Sequence, residues 1–140
     1  MKLLVPVDGS DYALKAVKMA IRLIREGGGE IILLSVAQDI SQLGAWEIGH
    51  SPRILKEIEV KAERAIGEAE KLLKEEAIEI KKSLLETGVP ADEIIRVAKE
   101  EAIDMIVMGS RGLTGLSKYL LGSVTHKVVA HAPCSVLVVK

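Results

Sequence analysis

The sequence predicts an α/β protein built on an open parallel sheet, with five strands alternating with four helices along its 140 residues. Three observations carry that expectation. Short runs rich in Val, Ile and Leu recur, and the segments between them space their apolar residues three and four apart, as one helix face does. The runs are apolar throughout rather than alternating, which suits strands covered on both faces by helices. Gly27-Gly28-Gly29 and Gly88-Val89-Pro90 punctuate the changes of period. Strands separated by helices then connect by right-handed crossovers, with helices on both faces of the sheet.

Leu3–Val7 reads as the first strand. Ala13, Ala16, Val17, Ala20, Ile21 and Ile24 share one face of the first helix, which the glycines at 27–29 end. Ile31–Val36 is the second strand, and Ala37–Pro52 follows as a connection of mixed polarity without a clear period. Leu55, Ile58, Ala62, Ala65, Ala69 and Leu72 line a long helix, flanked by Glu57/Lys61 and Glu70/Lys74 at ion-pair spacing. Fewer than three heptads argues a packed surface helix rather than a coiled coil. Ile78–Leu85 is the third strand, and Ala91, Ile94, Ile95, Ala98 and Ala102 mark the third helix. Met105–Met108, a helix from Ser123 through Ala130, and Val136–Val139 complete the set.

A chain of this length suits one domain over residues 1–140, able to bury about two-thirds of its unfolded surface. Although 49% of the residues are apolar, no uninterrupted run approaches the ~20 that a bilayer span needs, so a soluble protein without membrane association is expected. The first ten residues, with Asp8 among them, read as a strand rather than a secretory signal. A single cysteine, Cys134, allows no internal disulfide, and a cytoplasmic location follows as the expectation. The formal charge of -1 shows no basic excess, and one Trp, two Tyr and no Phe offer no base-stacking platform. No nucleic-acid partner is expected.

Directly after the fourth strand comes Gly109-Ser110-Arg111-Gly112, then nine residues, then Gly122-Ser123. Glycines let the backbone turn and let a ligand approach main-chain N–H groups with no Cβ in the way, which suits a phosphate. Gly122-Ser123 also opens the fourth helix, whose free N–H groups and positive dipole end attract an anion. In open sheets of this type ligands sit at the carboxyl ends of the strands, where the winding reverses. Asp8-Gly9-Ser10 and the loop from Gly109 lie at two such ends. If their strands are neighbours, both loops open on one crevice.

The chain resembles the universal stress protein family, of the nucleotide-binding kind. The similarity runs from Val5-Pro6-Val7-Asp8-Gly9-Ser10 through Val107 to Gly112 and Leu121-Gly122-Ser123-Val124 to Ala132 through Val139, with Ser135 where many members carry Pro. The resemblance implies the sheet order 3-2-1-4-5 of the adenine nucleotide alpha-hydrolase-like fold, and ATP, or AMP, as ligand. Asp8 would then lie near ribose and adenine, with Pro6 and Val7 shaping the wall and main-chain groups of Val36 at the adenine edge. Met108 and Gly109 would meet ribose, while Arg111, Gly112, Gly122, Ser123 and Val124 would surround the phosphates. Carboxylates suit sugar hydroxyls, and amides with one Arg suit an anion. Mg²⁺ or Mn²⁺ would be held through the phosphates and water, since no acidic cluster waits in the glycine loop. In the implied order Val136–Val139 is an edge strand with no charge until Lys140, and the resemblance implies a homodimer through it.

Each residue also has a plainer reading. Glycines after a strand often make turns, Asp8 could cap the first helix as could Ser10 or Asp11, and Arg111 could be solvated. His126 suits the surface or packing, His50 and His131 have no metal-ligand spacing with Cys134, and Cys134 opens an apolar strand as an inert buried thiol would. Trp46 fits either a partner contact or packing. No Gly-Lys-Ser or Gly-Lys-Thr supplies a Walker loop, no G-x-G-x-x-G follows a strand, and Asp8-Gly9-Ser10 is not a Ser-Gly-Gly pyrophosphate loop. No paired acid and base or activated nucleophile is visible. The residues therefore suit a binding protein, which with the resemblance implies a nucleotide-dependent regulatory or stress-response switch with an unidentified protein partner; a weak ATP hydrolase and a dimerising scaffold without nucleotide are the alternatives.

Overall fold

The computed structural model describes residues 1–41, 50–113 and 120–140. Among them are strands β1 (Lys2–Pro6), β2 (Glu30–Gln38), β3 (Ile80–Gly88), β4 (Met105–Gly109) and β5 (Ser135–Val139). Helices α1 (Asp11–Gly27), α2 (Pro52–Glu75), α3 (Pro90–Glu100) and α4 (Ser123–His131) alternate with them. Trp46 lies outside the described residues, as does most of the connection after β2.

All strand pairs are parallel and the sheet order is β3-β2-β1-β4-β5. Chain direction reverses its winding between β1 and β4, so the loops after these two strands open side by side. Side chains alternate across the pleat and build two cores. Leu3, Val5, Ile31, Leu33 and Val107 pack against α1 and α2, while Leu4, Ile32, Leu34, Ile106 and Met108 pack against α3 and Val128 of α4. Each such Leu or Ile, fully buried, contributes roughly 1.5–3 kcal/mol. Small residues set the first layer close to the sheet: Ala13, Ala16 and Ala20 of α1, and Ala62, Ala65 and Ala69 of α2, are all buried.

Several element ends differ from the sequence expectation. β2 runs on to Gln38 because main-chain pairing with β3 continues through Ala37↔Thr87 and Gln38↔Gly88, which needs no apolar side chain. β3 starts at Ile80, two residues late, because Ala77 and Ile78 finish α2. β3 is also an edge strand, and Lys81, Lys82, Ser83 and Leu85 are exposed, so it is not buried on both faces. Ala102, expected on the third helix, lies beyond its end and is exposed.

The reason is a shared helix ending. Ala77 and Ala102 adopt left-handed φ of 57° and 50°, and Ile78 and Ile103 donate their N–H groups back to Leu73 and Ala98 carbonyls at 2.9 and 3.0 Å. This closing turn usually takes glycine. Both copies read Glu-Glu-Ala-Ile, at 75–78 and at 100–103, so the stop signal is a repeat that carries no glycine. On α2, Leu55 is 42% exposed rather than packed, and Leu73 is fully buried where Leu72 was expected. Glu57 faces Arg53 at 3.7 Å instead of Lys61.

Candidate functional site

The reversal point holds a cleft of about 610 Å³, within the ~300–1,000 Å³ usual for small-molecule sites. Its floor is the carboxyl ends of β1, β2 and β4, and its walls come from α2, the start of α3 and the start of α4. All eleven residues expected from the sequence line it: Pro6, Val7, Asp8, Val36, Met108, Gly109, Arg111, Gly112, Gly122, Ser123 and Val124.

Asp8 opens the loop after β1. Its Oδ1 accepts the Ser10 N–H at 2.9 Å, and the Ser10 hydroxyl accepts the Ala13 N–H at 3.1 Å, capping α1. Ser10, not Asp8 or Asp11, is therefore the cap. Gly9 between them sits at φ 86°, a left-handed conformation that favours glycine. The second oxygen, Oδ2, lies against Gly112, where an added Cβ would stand 2.6 Å away. Asp8 is exposed and lines the cleft.

The glycines were expected to make room for a ligand, and the structure assigns that room to protein. A Cβ on Gly109 would meet the Tyr12 Cβ and main chain at 2.7–2.9 Å, so this glycine lets β4 approach the first turn of α1. A Cβ on Gly122 would stand 3.3 Å from Arg111 Cα and 3.5 Å from the Ser110 carbonyl oxygen. The two ends of the loop thus close on each other, and the Gly122 N–H donates to Ser110 O at 2.8 Å. Thr125, buried, donates its hydroxyl to Gly109 O at 2.8 Å and fixes α4 against β4.

What the closed loop leaves open is main chain. Gly122 caps α4 without a side-chain bond, and the N–H groups of Ser123, Val124 and Thr125 find no partner among the described residues. Three unsatisfied donors at the positive end of a helix form an anion cradle. Arg111 is committed elsewhere. Its Nη1 donates to the Tyr12 hydroxyl at 2.9 Å and its Nε to Leu120 O at 3.2 Å, and the guanidinium stands 5.5 Å from the Tyr12 ring centre.

Sequence reasoning missed the other lining residues, among them Ser35, Gln38, Ile58, Lys61 and Lys127. Ser35 was findable as the one polar residue inside an apolar strand, and it is buried beside the cleft. Lys127 lies one turn after Ser123, hence on the same helix face, with its Nζ 2.7 Å from Asp92 Oδ1. With Lys61 and Arg111 the lining carries, among the described residues, three cations against one carboxylate, although the chain as a whole is formally -1. His126 is exposed on α4 and stands outside the lining. Cys134, expected as a buried thiol, is half-buried; burial raises its pKa above the ordinary thiol value, and the Asp104 charge adds to this.

The universal stress protein family profile matches residues 1–140. Universal stress protein MJ0531 of Methanocaldococcus jannaschii is 39% identical, over 99% of this chain and 81% of its own length. Among solved structures, the universal stress protein UspA from Lactobacillus plantarum superposes with a TM-score of 0.83 at 30% identity, covering 100% of this chain and 97% of that one. A universal stress protein from Archaeoglobus fulgidus, in complex with dAMP, superposes with a TM-score of 0.71 at 23% identity, covering 100% and 98%.

Proposed function

The chain belongs to the universal stress protein family, and on that premise we propose that its cleft binds an adenine nucleotide, ATP or AMP, as a regulatory or stress-response signal. One observation carries the reading: three main-chain donors at Ser123, Val124 and Thr125, without partners among the described residues, share a cleft with the Asp8 carboxylate. The donors suit phosphate oxygens and the carboxylate suits ribose hydroxyls. Three cations around them favour a multiply charged anion. The fold itself accepts such ligands, since the Archaeoglobus fulgidus relative was captured with dAMP.

Within this reading Pro6, Val7 and Val36 flank the base, Met108 and Gly109 the ribose, and Gly112, Gly122, Ser123 and Val124 the phosphates. Among the described residues no three His, Cys, Asp or Glu side chains stand together to hold a metal ion, so Mg²⁺ or Mn²⁺ would travel on the phosphates and water. Among the described residues the lining holds a single carboxylate, Asp8, whose Oδ1 accepts the Ser10 N–H, and this favours binding over efficient hydrolysis. Among the described residues no helix is long and apolar enough to cross a membrane. We take residues 1–140 as one cytoplasmic unit that dimerises through the outer edge of β5, which follows β4 and ends the sheet.

Titration calorimetry with ATP, AMP and adenosine, on the wild type and on Asp8→Ala, tests the proposal. All three should bind the wild type, and Asp8→Ala should weaken all three by about tenfold, because each carries the ribose that the carboxylate meets. No affinity in the wild type, or an Asp8→Ala variant with unchanged affinities, would remove the reading.

A further inference from the structure

We propose that Arg111 and Tyr12 form a clamp that positions the anion cradle, so that Arg111 acts on a bound nucleotide through the loop and not by touching its phosphates. The inference rests on the nucleotide reading of the cleft and deepens it. Arg111 is the cation nearest in sequence to Gly112, and its chemistry suits phosphate. Its geometry says otherwise. The Nε–H goes to Leu120 O at 3.2 Å and an Nη1–H goes to the Tyr12 hydroxyl at 2.9 Å, so two of its five donors are already used, on partners from separate segments of the chain. Tyr12 does not line the cleft, and its ring carries the guanidinium at 5.5 Å and the Lys15 ammonium at 5.2 Å.

The consequences fall on the cradle. Leu120 stands two residues before Gly122, so the bond from Arg111 Nε holds the returning end of the loop beside its outgoing end. The Gly122 N–H bond to Ser110 O at 2.8 Å runs between the same two segments. Tyr12 ties this pair to α1, where the absence of a Cβ on Gly109 lets β4 reach the Tyr12 main chain. The first turn of α1, Ser110 and Arg111 after β4, and the segment from Leu120 to Gly122 before α4 are thereby tied to one another. Position matters because main-chain donors cannot swing toward an anion as a lysine can. Their whole contribution depends on being aimed before the ligand arrives.

Three variants test this: Tyr12→Phe, which leaves the Arg111 charge in place, Arg111→Lys, which keeps a cation but cannot make both bonds, and the two combined. Each single variant should weaken ATP by about three- to tenfold, and the combination should be no weaker than the worse single, since both act through one clamp. In ligand-free protein, amide exchange at Gly122 should quicken in every variant, a readout that a ligand contact would not move. A Tyr12→Phe variant with wild-type ATP affinity, additive losses in the combination, or unchanged exchange at Gly122 would overturn the clamp. Wild-type protein that binds no nucleotide would instead overturn the functional reading, with the exchange data still judging whether the clamp exists.

Discussion

Proline at position 123 should separate the main chain of the cradle from everything around it. Ser123 is the first residue of α4, where the N–H has no helical partner and where proline, with its fixed φ, is well tolerated. The residue before a proline must be extended, and Gly122 already has φ -61° and ψ 153°. Ser123→Pro should therefore leave α4 and the thermal midpoint nearly unchanged, within about 0.5 kcal/mol of stability. It removes one donor that no described residue uses.

If that donor meets a phosphate, the lost bond is of the charge-assisted kind, worth about 1.5–3 kcal/mol. At about 1.4 kcal/mol per decade this weakens ATP by roughly ten- to a hundredfold. Ser123→Ala removes the hydroxyl and keeps the N–H, so it isolates the main-chain term. Adenosine, which carries no phosphate, should bind both variants as it binds the wild type. Calorimetry of ATP and adenosine on the two variants reads all four values. Equal ATP affinity in Ser123→Pro and Ser123→Ala, with both folded, would refute the cradle.

Four further outcomes follow from the geometry. Ala77→Gly and Ala102→Gly should each raise stability by about 0.5–1 kcal/mol in thermal or urea unfolding, because both positions are exposed and left-handed. Cys134 should react with iodoacetamide more slowly than a free-cysteine peptide at pH 8: its raised pKa leaves less thiolate, and the rate should climb as pH rises further. Val138→Lys should release monomers in light scattering if β5 pairs across a two-fold axis; Leu137 is the poorer probe, since it packs against the core beneath α1. Incubated with ATP and Mg²⁺, the protein should turn over well below the ~1 s⁻¹ at the slow end of typical enzymes, as phosphate release would show.

How much of this was legible in the residues depends on which force acted at each position. Burial leaves a periodic trace, so the first strand, expected at Leu3–Val7 and found at Lys2–Pro6, the alanine face of α1 and the fourth strand, expected to end at Met108 and found to end at Gly109, could be read to within a residue, and the strand order implied by family resemblance is the order observed. Main-chain pairing leaves no such trace, so β2 and β3 run on past their apolar stretches to Gln38 and Gly88. Left-handed helix endings built on alanine are equally silent, and the Glu-Glu-Ala-Ile repeat yielded its meaning only with φ in hand. The glycine motif is the instructive middle case. Its spacing said that something approaches the backbone closely at 109, 112 and 122, but not what. At all three positions the neighbour is protein: Tyr12, Asp8 and then Arg111 with Ser110. The glycines bring the two ends of the loop together, and beside them Ser123, Val124 and Thr125 line the cleft with main-chain N–H groups that find no partner among the described residues.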